Sequence, residues 1–168
     1  MEPRVSIIMG STSDLPVMEK AAAILNDFKI PFEINALSAH RTPDEVEKFA
    51  TEAAGRGIEV IIAAAGMAAH LPGVIAAMTT IPVIGVPVKA SLEGLDSLLS
   101  IVQMPPGIPV ATVGINAAQN AGILAAQIIA TADDDLRREL LNFKSKLKDK
   151  IVKANSQLKE VKYDYKTN

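Results

Sequence analysis

Short apolar runs that alternate with helix-length segments are the feature that most constrains how this chain can fold. The runs fall at residues 5–9, 32–37, 60–65, 83–86 and 110–113. Brief, uninterrupted apolar runs are typical of strands that are buried on both faces of a parallel sheet. Their alternation with helices predicts an α/β protein in which a doubly wound parallel sheet lies between helical layers.

Four helices can be assigned from periodicity and end signals. The first, at 15–28, carries a proline in its first turn, and the second, at 42–56, begins with a capping box. The third, at 117–132, is apolar on all sides, which predicts burial against a neighbouring element or another subunit. Three aspartates at 133–135 predict the cap of a last helix that extends towards residue 158.

The chain shows no linker and no internal repeat. Its 168 residues therefore predict a single domain, with a core at about 4–132 and a C-terminal helix at about 133–160. No stretch reaches the roughly 20 apolar residues that a membrane span requires, and the N-terminus has no basic leader followed by an apolar segment. We therefore expect a cytoplasmic protein that binds no membrane.

Residue usage narrows the chemistry that the chain can perform. It has no cysteine and two histidines, His40 and His70. This excludes disulfides, thiolate nucleophiles, iron–sulfur clusters and cysteine-bound zinc, and it argues against any metal site. The chemistry must therefore come from imidazoles, carboxylates, hydroxyls and backbone groups.

Positive charge is concentrated at the C-terminal end, where ten of the 17 lysine and arginine residues lie from Arg137 onward. A basic tail can contact nucleic acid, with steep salt dependence. However, the chain has no tryptophan, and the lysines alternate with apolar residues at helical spacing. We interpret the tail as a solvated helix face and expect no nucleic-acid partner.

The loop after the first strand has the composition of a phosphate site. It reads Gly10-Ser-Thr-Ser-Asp14 and leads directly into a helix, so that hydroxyls and backbone N–H groups converge at a helix N-terminus. It lacks the glycine spacing of a dinucleotide fingerprint and the lysine of a Walker A loop. Asp14 suits ribose hydroxyls, and the alternative is that Ser13 or Asp14 only caps the helix.

The next two loops add the remaining reactive groups. The second, Ser38-Ala-His40-Arg41-Thr-Pro43, sets an imidazole that can carry a proton near neutral pH beside a guanidinium that can pair with phosphate. The third, between residues 63 and 73, is made of small residues and lets the backbone approach a flat ligand. Its His70 either supports the site or has a structural role, as a cap or as the partner of a buried carbonyl.

The segment at 88–96 has the composition of a lid. It is long and irregular, and it carries Leu92 and Leu95, which could close over a pocket. The alternative is an ordinary crossover loop. Since ligands bind at the carboxyl ends of the strands in a doubly wound sheet, all four loops belong to one expected site.

In sequence order, these motifs resemble the phosphoribosylaminoimidazole carboxylase catalytic-subunit family, and within it the class I branch of N5-carboxyaminoimidazole ribonucleotide mutases. The resemblance extends from about residue 5 to residue 131. The motifs that carry it are Met9-Gly-Ser-Thr-Ser-Asp14-Leu-Pro16, Ser38-Ala-His40-Arg41-Thr-Pro43, Ala65-Gly-Met-Ala-Ala-His70-Leu-Pro-Gly73, Gly85-Val-Pro-Val88 and Gly94-Leu-Asp-Ser-Leu-Leu-Ser-Ile-Val-Gln-Met-Pro105.

The resemblance implies a fold, an assembly and an activity. The fold is a flavodoxin-like three-layer α/β/α domain, assembled into a homo-octamer with active sites at subunit junctions. The C-terminal helix of such proteins usually reaches onto a neighbour. The implied activity is an isomerisation of a small ribonucleotide without a cofactor, and it allows a functional link to the ATP-dependent synthetase that makes the substrate.

The resemblance also assigns roles to individual positions. His40 matches the catalytic histidine and would donate a proton during decarboxylation and take one back during recarboxylation. Asp14 would bind the ribose hydroxyls, and His70 would lie beside the imidazole ring and the migrating carboxylate. The full set of implied substrate-binding residues is Ser11, Ser13, Asp14, Ser38, Ala39, Arg41, Gly66, Ala68, Ala69, His70 and Leu71.

Details of the motifs distinguish the branches of the family. The branch that fixes free carbon dioxide typically has lysine after the matching histidine and Gly-Arg-Ser-Asn in the third loop, whereas this chain has Arg41 and Ala68-Ala69-His70. The mutase branch is therefore favoured. Two positions depart from its usual pattern: Met67 stands where glycine is usual, and Glu93 precedes Gly94 in a lid that is one residue shorter.

Two rival functions stay open. One is the aminoimidazole ribonucleotide carboxylase of the carbon-dioxide-fixing branch. The other is a non-catalytic nucleotide or flavin sensor, since one fold can host many functions. Aromatic residues make up 4% of the chain, which argues against the flavin.

Overall fold

The computed structural model describes residues 2–168 and divides the chain into two compact units. The first ends at Ile129 and contains the sheet, and the second is Ala130–Asn168 and consists mainly of one long helix. Across residues 2–168, no helix combines the length and the apolarity that crossing a membrane requires.

A five-stranded parallel sheet forms the centre of the first unit. Its strands are β1 (Val5–Met9), β2 (Phe32–Ala36), β3 (Val60–Gly66), β4 (Val83–Val88) and β5 (Ala111–Thr112). They lie in the order β2-β1-β3-β4-β5, which is the flavodoxin-like order. β1 and β4 are buried along their whole length, as uninterrupted apolar runs predict. The predicted fold class is confirmed.

Helices cover both faces of the sheet. They are α1 (Leu15–Asp27), α2 (Pro43–Glu52), α3 (Leu71–Ala76), α4 (Leu95–Val102) and α5 (Ala118–Ile129), with short 3-10 turns at 12–14, 54–56 and 92–94. On one face α1 packs against α5. On the other face, α2 and α3 share an apolar cluster with β1 and β3, in which Val46, Phe49 and Ile75 are buried.

The start and the end of α2 differ from the sequence-based prediction. The helix stops at Glu52 because the chain tightens into a 3-10 turn that ends at Gly57, whose φ is 85°. Thr42 is the N-cap residue, but its side chain makes no capping hydrogen bond. Instead, Thr42 Oγ1 accepts from Ser38 N at 2.9 Å and donates to Ser38 O at 3.1 Å. The capping box was therefore wrong, and the hydroxyl closes the preceding loop.

α5 packs closely against α1 and the sheet within the first unit through its small residues, and Gln119, Asn120 and Gln127 are exposed. The point of closest approach is Gly122. A Cβ at this position would lie 2.2 Å from Ile24 Cγ2 and 3.1 Å from the carbonyl oxygen of Ala21, both on α1. The missing side chain therefore sets the distance between the two helices.

We expect the substitution Gly122→Ala to destabilise the protein. Overpacking costs up to about 3 kcal/mol and outweighs the roughly 1 kcal/mol gained in helix propensity, so the melting temperature should fall by about 2–8 °C. Thermal unfolding followed by circular dichroism measures this. Gly55→Ala is the control, since nothing lies within 4 Å of its Cβ position. Equal melting temperatures for the two variants would contradict the packing argument.

A polar cluster fixes the edge strand β2, which leads into the second loop. The fully buried Ser6 donates from Oγ to Glu33 Oε1 at 2.9 Å. The same oxygen accepts from Asn35 Nδ2 at 3.2 Å and from an Arg56 amino group at 3.1 Å. The guanidinium carbon of Arg56 also lies 5.2 Å from the centre of the Phe49 ring. One carboxylate thus holds β2 to β1 and to the turn after α2.

The second unit is built around α6 (Asp134–Leu158). The side chain of Asp133 accepts from Leu136 N at 3.0 Å, so the predicted cap is confirmed. Further along the helix, the apolar side chains of Leu147 and Ile151 are 50% and 68% exposed. The distal part of α6 therefore carries apolar residues that the second unit does not cover.

Candidate active site

The loops after β1, β2 and β3 meet at the carboxyl edge of the sheet and enclose a cavity of about 540 Å³. The winding direction of the chain reverses between β1 and β3, so this is where a doubly wound sheet is expected to bind a ligand. The cavity is lined by Gly10, Ser11, Ser13, Asp14, Ser38, Ala39, His40, Arg41, Ala65, Gly66, Met67, Ala68, His70, Leu71 and Ala90.

The first loop brings two serine hydroxyls and a carboxyl group to this cavity. Ser11 caps the 3-10 turn at 12–14, because its Oγ accepts from Ser13 N at 3.3 Å and from Ser13 Oγ at 3.0 Å. Asp14 occupies the N-cap position of α1, but its side chain makes no capping hydrogen bond. Neither Ser13 nor Asp14 acts as a side-chain cap of α1, and both line the cavity.

Partial burial affects the carboxyl group of Asp14. Loss of hydration raises its pKa above the ordinary value of 3.8, and a hydrogen bond from Ser13 offsets part of that rise. The charged form of Asp14 is therefore less well solvated than a surface carboxylate. A ligand hydroxyl that donates to it would replace the missing hydration.

The second loop is tied to the first by Arg41. An amino group of Arg41 donates to the carbonyl oxygen of Gly10 at 2.7 Å, and its Nε donates to Ser38 Oγ at 3.3 Å. A guanidinium has five N–H groups, so others are left for an anion in the cavity. Arg41 thus connects the loops after β1 and β2 and supplies their positive charge.

His40 and His70 lie side by side although 30 residues separate them in the sequence. His40 Nε2 is 2.8 Å from His70 Nδ1, and the rings meet edge to face at 77° with centroids 4.9 Å apart. One nitrogen must donate a hydrogen and the other accept it. The Nδ1 of His70 therefore contacts His40 rather than a buried carbonyl. This contact fixes the two imidazoles relative to each other at the cavity.

The third loop approaches the end of β4 closely. A Cβ at Gly66 would lie 3.3 Å from both the carbonyl oxygen of Val88 and the Cβ of Ala90, so a larger residue would push the two strand ends apart. Met67 follows with a φ of 57°, and its side chain is 61% exposed. The floor of the cavity is therefore narrow and built mostly from backbone and small side chains.

All of the site residues predicted from sequence line the cavity, with one exception. Ala69, within the third loop, is only 1% exposed and does not reach the cavity. Gly10, Ala65, Met67 and Ala90 line the cavity in addition. The first three lie within the quoted motifs, whereas Ala90 carries no sequence signal, because a small apolar residue in a loop is commonplace.

The segment interpreted as a lid contributes little to the cavity. Of residues 88–96, only Ala90 lines it, and Leu92 and Leu95 are 76% and 53% exposed outside it. The segment is anchored where it leaves β4, because the buried Ser97 Oγ donates to the carbonyl oxygen of Val88 at 3.0 Å. In this structure the two leucines do not close over the site.

A larger cavity, of about 860 Å³, lies at the opposite, amino edge of the sheet beside residues 76–83 and 107–109. No ionisable side chain lines it. The groups that can bind an anion or move a proton are gathered in the smaller cavity, which we therefore take as the candidate active site.

The fold and this site together define a flavodoxin-like α/β protein whose ligand cavity combines anion-binding groups with a pair of imidazoles. The AIR carboxylase family matches residues 4–150, and the chain belongs to that family.

Individual relatives match nearly the whole of this chain. N5-carboxyaminoimidazole ribonucleotide mutase of Thermotoga maritima is 57% identical over 162 residues, which are 96% of this chain and 95% of that protein. Phosphoribosylaminoimidazole carboxylase of Schizosaccharomyces pombe is 56% identical over 160 residues, which are 95% of this chain but 29% of that protein. The crystal structure of Treponema denticola PurE superposes with a TM-score of 0.86 at 31% identity, covering 94% of this chain and 99% of that one.

Proposed function

We propose that this chain is an N5-carboxyaminoimidazole ribonucleotide mutase, an isomerase of purine biosynthesis. It moves a carboxylate from the exocyclic nitrogen of an aminoimidazole ribonucleotide to carbon 4 of the ring. The observation that carries the proposal is the hydrogen-bonded pair of His40 and His70 in a cavity that also contains Arg41 and three serines. The Thermotoga maritima relative of that name supports it independently.

Substrate binding follows from the charges and donors of the first two loops. The phosphate takes hydrogen bonds from the hydroxyls of Ser11, Ser13 and Ser38 and pairs with the guanidinium of Arg41, which favours dianionic oxygens through its planar fork. The carboxylate of Asp14 accepts from the ribose hydroxyls. This arrangement directs the five-membered ring towards the third loop and the two imidazoles.

The first half of the reaction breaks the carbamate. Doubly protonated His40 donates a proton to the exocyclic nitrogen, and the bond between that nitrogen and the carboxylate carbon breaks. Its electron pair stays on nitrogen, so that the products of this step are carbon dioxide and the neutral amine. His70 holds the donor ring in orientation through the hydrogen bond between the two imidazoles.

The second half forms the new carbon–carbon bond. Ring carbon 4 attacks the carbon dioxide, and its proton passes to the now neutral His40, which returns to its starting state. No electrons are gained or lost overall. Holding carbon dioxide beside the ring replaces a bimolecular encounter by an intramolecular one, and a positioned acid–base group is typically worth about 10²–10⁴-fold in rate.

Presenting the purified protein with two alternative substrates tests the function. We expect rapid conversion of the carbamate nucleotide to the ring-carboxylated isomer, and much slower carboxylation of aminoimidazole ribonucleotide with bicarbonate, both followed by chromatography. Turnover only in the second reaction would assign the chain to the carbon-dioxide-fixing branch. Nucleotide binding without either reaction would make it a non-catalytic nucleotide-binding module.

Replacing Asp14 by asparagine is expected to raise the stability of the fold and to weaken nucleotide binding. The raised pKa means that the folded protein holds this proton to higher pH than the unfolded chain, so the carboxyl destabilises the fold increasingly as the pH rises above 3.8. Asp14→Asn should therefore melt higher than the native protein at pH 7, by no more than about 3 °C because the group is partly solvated. The difference should fade as the pH is lowered towards 3.8.

The same variant should bind nucleotide about tenfold more weakly, because it loses a charge-assisted hydrogen bond to ribose. Calorimetric titration with aminoimidazole ribonucleotide measures this loss. Asp44→Asn, on α2 and outside the cavity lining, is the control. A lower melting temperature at pH 7, or unchanged affinity, would remove Asp14 from its assigned role.

The exposed apolar residues and the length of the fungal relative bear on the oligomeric state and on a partner enzyme. We propose a cytoplasmic homo-octamer that is functionally linked to the synthetase that makes the carbamate nucleotide. Uncovered apolar residues on α4 and α6, such as Leu99 and Ile151, support self-association. More than two thirds of the yeast relative lies outside the match, which supports a link to a second activity. Light scattering on the purified protein tests the octamer.

A further inference from the structure

Met67 combines two features that are unfavourable in the ligand-free protein. Its φ of 57° lies in the left-handed region, which a residue with a Cβ rarely adopts. Its apolar side chain is 61% exposed to solvent. The side chain is not buried in the core, so it is available to contact a ligand in the neighbouring cavity.

The position of Met67 in the active-site cavity distinguishes it from the other residues with a strained backbone. Four other non-glycine residues within 2–168 have a positive φ, namely Lys29, Leu92, Glu93 and Asn116, and none of them lines the cavity. Strained backbone conformations cluster at functional sites, where the surrounding structure maintains them. Met67 is thus the strained residue that belongs to the active-site cavity.

The other residues around the cavity leave a role for a long apolar side chain. Apart from Met67, the apolar side chains that line it are alanines and Leu71, and Leu71 is only 3% exposed. The walls are otherwise polar or charged. Met67 is therefore the one long apolar side chain of this lining that is free to move over a bound ring, and methionine is unbranched and contacts aromatic rings favourably through sulfur.

We propose that Met67 is a substrate-positioning residue whose thioether packs over the five-membered ring of the bound nucleotide and covers the mouth of the cavity. This inference rests on the proposed function and deepens it. The cover keeps water out and keeps the released carbon dioxide beside ring carbon 4. Glycine is usual at this position in the mutase branch, so the reaction itself does not require the cover. In this chain the cover lowers the share of carbamate nucleotide that is lost as aminoimidazole ribonucleotide plus carbon dioxide.

The variant Met67→Gly tests the proposal, because it removes the side chain and accepts the left-handed backbone. We expect its ligand-free melting temperature to be no lower than that of the native protein. We expect its KM for the carbamate nucleotide to rise about two- to tenfold, the range of sulfur–aromatic contacts. A larger share of each turnover should end as aminoimidazole ribonucleotide. Met67→Leu, which restores apolar bulk, should recover most of both losses.

Lys29→Gly is the matched control, since Lys29 has the same φ of 57° and lies outside the cavity. It should change neither KM nor product partition. Normal KM and partition in Met67→Gly would overturn the proposal. So would a change in particle size, measured by light scattering, without a change in partition, because Met67 would then be a contact between copies.

A second measurement separates this proposal from the proposed function. Calorimetric titration of the native protein and Met67→Gly with aminoimidazole ribonucleotide needs no turnover. If the native protein binds the nucleotide but does not isomerise the carbamate, the proposed function fails, and a two- to tenfold weaker affinity of the variant still supports a contact between Met67 and the ring. Equal affinities would reject that contact, and absence of binding by the native protein would reject both proposals.

Discussion

Replacing His40 by asparagine should lower turnover of the carbamate nucleotide by about 10²–10⁴-fold while leaving nucleotide binding nearly intact. Asparagine retains polarity and approximate size, but it cannot carry a proton to the exocyclic nitrogen or remove one from ring carbon 4. In the proposed binding mode, the phosphate and ribose contacts lie on other residues of the same two loops, so affinity should change little. Steady-state kinetics and calorimetric titration separate these two effects.

The companion variant His70→Asn sharpens this test. It leaves the proton carrier in place and removes the ring that lies 2.8 Å from it. Turnover should therefore fall less than in His40→Asn, because the orientation of His40 is lost but its chemistry is not. Near-normal turnover in His40→Asn would exclude His40 from the reaction. Equal losses in both variants would instead mean that the two imidazoles act as one unit.

The sheet could be predicted from the sequence because parallel strands buried on both faces leave a pattern of their own. The runs at 5–9 and 60–65 correspond to β1 and β3 almost residue for residue. The short helix α3 was not predicted, because Pro72 and Gly73 are turn signals in isolation. Burial of Leu71 and Ile75 against the sheet overrides those signals. Tertiary packing, which local sequence does not encode, decided this element.

The composition of the site could be predicted, but its internal contacts could not. Three loops that follow parallel strands must share one edge of the sheet, so Ser11, His40 and His70 were expected at the same place. The contact between His40 Nε2 and His70 Nδ1 depends on side-chain rotamers and on the approach of two loops. The bond from Arg41 to the carbonyl of Gly10 depends on the same geometry. Neither has a sequence pattern, since the partners are distant along the chain.

The substitution Arg41→Lys should weaken nucleotide binding by roughly 10–100-fold, with a smaller effect on kcat. Arginine already uses its Nε and one amino group to hold Ser38 and Gly10, and still has N–H groups for a phosphate. An ammonium is a compact charge on a flexible stem and cannot hold both loops and grip the phosphate at the same time. The loss of charge-assisted hydrogen bonds worth about 1.5–3 kcal/mol gives the expected factor.

Titration with aminoimidazole ribonucleotide and with ribose 5-phosphate measures the effect, and both affinities should fall by a similar factor because the phosphate is common to them. Arg4→Lys is the matched control, since Arg4 pairs with Glu59 at the amino edge of the sheet, away from the cavity. If Arg41→Lys bound both ligands as tightly as the native protein, the phosphate would have to lie elsewhere in the cavity. The ring would then not be directed towards His40, and the acid–base mechanism would lose its geometric basis.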